Sequence, residues 1–162
     1  MKIYVASDHA GFYLKKELIK YLDIKGYEVE DCGAYEMDPD DDYPDFIIPC
    51  AEKVAKDKKS LGIVIGGSGQ AEAIAANKVK NVRAALFYGP VRSQGAVDIT
   101  GRKSSDSFEI VRLARRHNDA NVLSLGARFQ TSDDAKKAAT LFLETEFEGG
   151  RHERRLKKIE KA

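Results

Sequence analysis

Short apolar runs alternate along the chain with stretches in which apolar residues recur every three or four positions, which predicts strands separated by helices. Residues 3–6 read as a buried strand, and the helix after them carries Leu14, Leu18, Ile19 and Leu22 on one face and ends near Gly26. Residues 27–30 form a second expected strand. A loop over 33–44 follows, acidic at Asp38, Asp40, Asp41 and Asp42, and then a helix through Ile47, Ala51 and Val54. Residues 61–65 are the clearest buried strand and run straight into Gly66-Gly67-Ser68-Gly69. A helix starting at Gln70 carries Ile74 and Ala75 and closes near Asn77-Lys78. The fourth and fifth expected strands are 82–87 and 122–125, separated by a polar loop of roughly residues 89–107 and a helix ending near His117. Residues 133–147 and the Arg-rich tail read as further helices.

Strands that alternate with helices imply a parallel sheet covered on both faces, and ligands of such sheets gather at the carboxyl ends of the strands. Three polar clusters fall there: Ser7-Asp8-His9, the glycine loop, and Gly126-Ala127-Arg128. No internal repeat or low-complexity linker divides the 162 residues, so a single domain is expected over 1–162, with 148–162 as a C-terminal basic arm. Lys plus Arg number 27 against 26 Asp plus Glu, a balance that points to neither nucleic acid nor a membrane surface. The tail departs from that balance, with six basic and two acidic residues from Arg151 onward. Cys32 and Cys50 are the only cysteines and the three histidines are scattered, so no disulfide framework or metal-ligand spacing appears. The first apolar run is too short for a signal-peptide core, and no run approaches the ~20 residues of a membrane helix, so a cytoplasmic protein is expected.

The chemistry concentrates in Gly66-Gly67-Ser68-Gly69-Gln70-Ala71-Glu72. Glycines between a buried strand and a helix let backbone N–H groups approach a ligand, and a helix start favours negative charge. The segment is not a Walker loop and lacks the dinucleotide spacing. Its donors suit either a phosphate or an oxyanion developing on a substrate carbonyl. Glu72 reads in two ways: as a first-turn carboxylate favoured by the helix dipole beneath a Ser68 cap, or as a base facing the same pocket as the loop donors. Asp8-His9 suits a hydroxylated, phosphorylated ligand, or a turn in which Asp8 caps the next helix. His117-Asn118 closes a basic helix, where a histidine is favoured by the dipole alone. Arg128, Arg151, Arg154 and Arg155 are bidentate donors suited to phosphate, although a charged tail usually forms a solvated helix.

Taken in order, several words resemble the type B ribose-5-phosphate isomerase family, which also contains the galactose-6-phosphate isomerase subunits. They are Ser7-Asp8-His9-Ala10-Gly11, Asp31-Cys32-Gly33, Asp41-Asp42-Tyr43-Pro44, Gly66-Gly67-Ser68-Gly69 with Ile74-Ala75-Ala76-Asn77-Lys78, Arg116-His117-Asn118-Asp119-Ala120-Asn121, Gly126-Ala127-Arg128 and Gly149-Gly150-Arg151-His152. The resemblance implies a Rossmann-like three-layer α/β fold with a five-stranded parallel sheet. It also implies an aldose–ketose isomerase without cofactor or metal, acting as a homodimer with shared active sites, with room for a dimer of dimers. Many members use a cysteine at the position of Gly66 as base. This chain is similar to the other branch, in which Glu72 takes that role with Ser68 supporting the site. His117 matches the ring-opening histidine, Asn118 and Asp8 match substrate contacts, and Gly67, Ser68, Gly69, Gln70 and Ala71 match the anion hole. His9, Tyr43, Arg128, Arg151 and Arg155 match further ligand contacts, the last two serving the partner's site.

Two features depart from the family pattern. Ala71 replaces a usual glycine, which would be strained at positive φ. The loop 89–107 looks longer than the family's and carries two expected charge pairs, Arg92 with Asp98 and Arg102 with Asp106. The loop leaves open a six-carbon substrate such as allose or galactose 6-phosphate, and, since fold does not fix function, the rival outside enzymes is a non-catalytic phosphosugar- or nucleotide-binding module on the same fold.

Overall fold

The structure, a computed structural model, describes residues 1–161; the last residue of the expected arm, Ala162, lies outside them. Five strands, β1 (Lys2–Ser7), β2 (Glu28–Asp31), β3 (Leu61–Gly66), β4 (Ala84–Phe87) and β5 (Val122–Gly126), pair in parallel in the order β2-β1-β3-β5-β4. Six helices connect or follow them: α1 (Phe12–Ile24), α2 (Pro44–Lys56), α3 (Gln70–Ala76), α4 (Glu109–Asn118), α5 (Ser132–Glu144) and α6 (Arg151–Ile159).

Period-two alternation divides the strand residues between two cores. Ile3, Val5, Ile63, Ile65, Leu123 and Leu125 face α1, α4 and α5, where they meet Leu18, Leu22, Val111 and Phe142. Tyr4, Ala6, Val64 and Val122 face α2 and α3 on the other side, against Ile47, Cys50, Ala51, Val54 and Ala76. Burying both faces of the central strands makes them continuous apolar runs, which is why residues 3–6 and 61–65 stand out so clearly in the sequence. The strand order reverses direction between β1 and β3, and a crevice opens at their carboxyl ends. Register aligns those ends: Ser7 pairs with Ile65, and Gly66 with Gly126.

The expected helix over 133–147 stops at Glu144, where Thr145 turns extended and its N–H bonds back to Leu141. The fourth strand starts two residues later than expected, because Val82 is taken up by a turn (its N–H donates to the Val79 carbonyl). Ile74 is 63% exposed, since the short α3 buries only its alanine side and Glu72. The charge pairs of the 89–107 loop also form differently. Arg102 bonds Asp98 (2.9 Å) and the buried Glu109 of α4 (2.7 Å), while Asp106 pairs with Arg112 (3.3 Å). Both expected pairings give way to these, because Glu109 at the start of α4 is a buried carboxylate that needs a cation. The Thr100 hydroxyl and Arg102 hold Asp98 well below the usual carboxylate range. Arg102 thereby ties the loop to the first turn of α4.

Candidate active site

Three strand ends bring the first group of residues together. After β1, Asp8 caps a single 3-10 turn, accepting the Gly11 N–H at 3.1 Å, as the capping alternative anticipates. Its side chain also lies near enough to Glu72 to act on that carboxyl electrostatically, so capping does not remove it from the site. After β3, the helix cap is Gly69 at φ 75° rather than Ser68. Ser68 Oγ accepts only the Gln70 N–H, at 3.3 Å. The left-handed turn therefore falls on a glycine, and Ala71 sits inside α3 without the positive φ that would have strained it. Ser124 Oγ donates to the Gly69 carbonyl (2.6 Å), tying the loop to β5.

Glu72 is 3% exposed, and its Oε2 has no hydrogen-bond partner among the described residues. Burial pushes its carboxyl pKa up, with Asp8 adding to the rise, while the N–H groups of Glu72 itself and of Gly69 oppose it. The side chain fits because residue 66 has none. A Cβ at Gly66 would stand 2.0 Å from Glu72 Cδ and Oε1. The resemblance implies only that Gly66 removes the cysteine base; in the structure the space of that missing side chain is the one the Glu72 carboxylate occupies. Gly66→Ala is accordingly expected to displace Glu72 and lower kcat by ~10²-fold, measured by steady-state kinetics with the thermal midpoint as a fold control.

After β5, Ala127 and Arg128 donate backbone N–H bonds to the Gly66 and Gly67 carbonyls at 2.8 and 3.0 Å. The Arg128 guanidinium crosses above Gly67, 3.4 Å from where a Cβ would be, and its charge reaches His9. His9 Nδ1 bonds Asp41 Oδ1 at 2.6 Å. Tyr43 precedes α2 and packs against the second core cluster near that loop. Gln70 is exposed at the start of α3. Cys32 and Cys50 are both buried in the α2 face of the core.

The remaining expected residues form a second group elsewhere. His117 and Asn118 end α4, on the amino side of β5, and β5 spans roughly 15 Å between that edge and the glycine loop. There His117 stacks on His152 of α6, rings 4.2 Å apart and 10° from parallel, with Glu148 Oε2 3.6 Å from its Nε2. Arg151 and Arg155, one turn apart on α6, share with His117, Asn118, Val97 and Asp98 the lining of a cavity of about 510 Å³. Burial lowers the His152 pKa, and His117, Arg151 and Arg155 lower it further. One chain therefore holds two separate polar groups: a buried carboxylate beside the glycine loop at the carboxyl edge, and a histidine–arginine cavity along α4 and α6.

Two triads bring metal-ligand atoms within 4.8 Å: His117 with Glu148 and His152, and Asp8 with His9 and Asp41. Neither is arranged as a cation site. Stacked imidazoles hold their lone pairs in nearly parallel planes that do not converge on one ion, and two arginines flank them; in the other triad, His9 Nδ1 is already bonded to Asp41 and Arg128 stands beside it.

The family model for Ribose/Galactose Isomerase matches residues 3–100 and 104–159. The chain belongs to this family. The ribose/galactose isomerase match breaks only inside the loop that Arg102 anchors. Ribose-5-phosphate isomerase B of Mycolicibacterium paratuberculosis is 41% identical over 157 residues, covering 96% of this chain and 87% of that protein. Among solved members, ribose-5-phosphate isomerase B of Mycoplasma genitalium with bound ribulose-5-phosphate superposes with a TM-score of 0.85 at 41% identity, over 99% of this chain and 94% of the other. The Clostridium thermocellum ribose-5-phosphate isomerase B gives 0.85 at 39% identity, over 99% and 96%. The expected Rossmann-like α/β architecture with a parallel five-stranded sheet is thus the family's fold.

Proposed function

We propose that this protein interconverts ribose 5-phosphate and ribulose 5-phosphate, with Glu72 as the proton-transfer base. The observation that carries the reading is the Glu72 carboxylate, buried in the space left by Gly66 beside the glycine loop, in a chain 41% identical to an isomerase whose structure holds ribulose-5-phosphate. A binding module would have no use for a desolvated carboxylate with a free oxygen next to backbone donors.

The chemistry proceeds by proton movements alone. His117 assists opening of the furanose by moving the proton of the anomeric hydroxyl or ring oxygen. Glu72 takes the proton from the second carbon of the aldose and returns it to the first carbon of the ketose, while the hydroxyl proton of the second carbon passes to the oxygen of the first. Backbone N–H groups from Gly67 to Ala71 stabilise the intervening cis-enediolate, with Ser68 supporting the loop. Asp8 and Asn118 contact sugar oxygens, and His9, Arg128, Arg151 and Arg155 bind the phosphate, with Tyr43 and Gln70 at the pocket's edge. Since His117, Asn118, Arg151 and Arg155 lie a strand's length from Glu72, the active site takes them from the partner of a cytoplasmic homodimer.

The test is conversion of ribose 5-phosphate by the pure protein in the presence of a chelator. Steady production of ribulose 5-phosphate is expected; activity that returns only with a divalent ion would remove this mechanism. His117→Ala should slow the cyclic substrate by ~10²-fold or more while sparing an aldose phosphate that cannot close a furanose, such as erythrose 4-phosphate. Equal losses on both would end the ring-opening assignment.

A further inference from the structure

Four aspartates crowd the loop before α2, and three of them, Asp38, Asp40 and Asp42, are exposed to solvent. Asp41 alone turns inward: its side chain is 6% exposed. Its Oδ1 accepts two hydrogen bonds from one residue, the His9 backbone N–H at 3.1 Å and the His9 ring at Nδ1, 2.6 Å. Its Oδ2 is buried without a partner among the described residues. Burying a carboxylate with one oxygen unpaired costs stability, so a merely structural tether would be poorly served by it. The arrangement is economical for another purpose. With Nδ1 held, the ring cannot rotate, and its other nitrogen, Nε2, remains for a ligand.

We propose that Asp41 is a positioning residue for substrate binding: by accepting from the His9 backbone and from Nδ1 it fixes the orientation of the imidazole and leaves Nε2 to meet the sugar phosphate beside Arg128. The proposal rests on the reading of His9 and Arg128 as phosphate contacts. Within one chain, three charged side chains act on the ring. Asp41 favours its protonation most, through the hydrogen bond, and Asp8 at the end of β1 adds to it. Arg128, after β5, and partial burial oppose it, and the net effect is a raised pKa. An imidazolium next to a guanidinium would repel it without a counter-charge, and Asp41 supplies one on the side away from the ligand. A charge-assisted bond to phosphate is about twice as strong as a neutral one, which gives the arrangement its value.

Asp41→Asn is the informative variant. The backbone N–H of His9 keeps the amide oxygen in the place of Oδ1, so orientation survives while the charge is lost. The His9 pKa, read from its ring signals by NMR, should fall relative to wild type. The ratio of variant to wild-type KM for ribose 5-phosphate should be near one at low pH, where His9 is protonated in both proteins. It should rise to about tenfold between the two His9 pKa values, with kcat little changed. The substrate's own ionisation is common to both proteins and cancels in this ratio. In a His9→Asn background, Asp41→Asn should add nothing further to KM.

A KM ratio that does not vary with pH, an unmoved His9 titration, or additive effects in the double variant would each overturn the proposal. Wild-type protein provides a separate check without substitution, because inorganic phosphate should shift the His9 ring signals. No response to phosphate would likewise overturn it. This arm reads binding and not turnover, so a protein that binds phosphate through His9 but fails to isomerise ribose 5-phosphate would refute the proposed reaction and leave the Asp41–His9 pair standing.

Discussion

Glu72→Gln is expected to lower kcat by at least roughly a hundredfold while KM for ribose 5-phosphate changes by no more than about threefold. Glutamine keeps the shape of the side chain in the space beside Gly66 but cannot accept the substrate proton, so the loss falls on the chemical step and not on binding. The pH profile of the wild type provides the second readout. The base works only as the carboxylate, and burial with the Asp8 charge raises its pKa. Activity should therefore rise with pH along an acid limb displaced above the ordinary carboxylate value, and that limb should be missing from the residual activity of the variant. Replacing both Cys32 and Cys50 by serine should leave the reaction running, since both thiols are buried in the core under α2. If thiol labelling instead removed activity in proportion, Glu72 would not be the base.

Mixing two inactive proteins should restore about a quarter of the wild-type activity. The first is Glu72→Gln, and the second is Arg151→Ala/Arg155→Ala. Each alone lacks something in every site. After random exchange of subunits half the dimers are mixed, and in each of these one site combines the Glu72 of one chain with both arginines of the other. The physical basis is the separation of the two polar groups: Glu72 lies at the carboxyl edge of the sheet, whereas Arg151 and Arg155 line the cavity beside His117 at the end of α4. Mass spectrometry of the mixture checks that exchange occurs. If mixed dimers form and activity stays at the level of the separate variants, each site is built within one chain or the arginines take no part in it.

The elements and their order were legible in the sequence because a parallel sheet buried on both faces leaves unbroken apolar runs between amphipathic stretches. The word Gly66-Gly67-Ser68-Gly69 was legible because a strand-to-helix turn that brings its backbone close to a ligand needs glycine. Local chemistry of this kind is written in adjacent residues. The helix end at Glu144 and the late start of β4 were not legible, since both depend on which backbone groups find partners in the turns beside them. Nor were the partners of Arg102, because a buried carboxylate at position 109 competes for it and burial is a property of the fold. The same reason explains Asp41. In the sequence it is one of four aspartates in an acidic loop, and nothing local separates it from Asp40 or Asp42. Only the path of the chain brings it against His9, 32 residues away. Apolar periodicity thus determined the fold class and the ordered family words the kind of chemistry, whereas tertiary packing decided which charges meet, which are buried, and that Glu72 and His117 stand at opposite edges of one sheet.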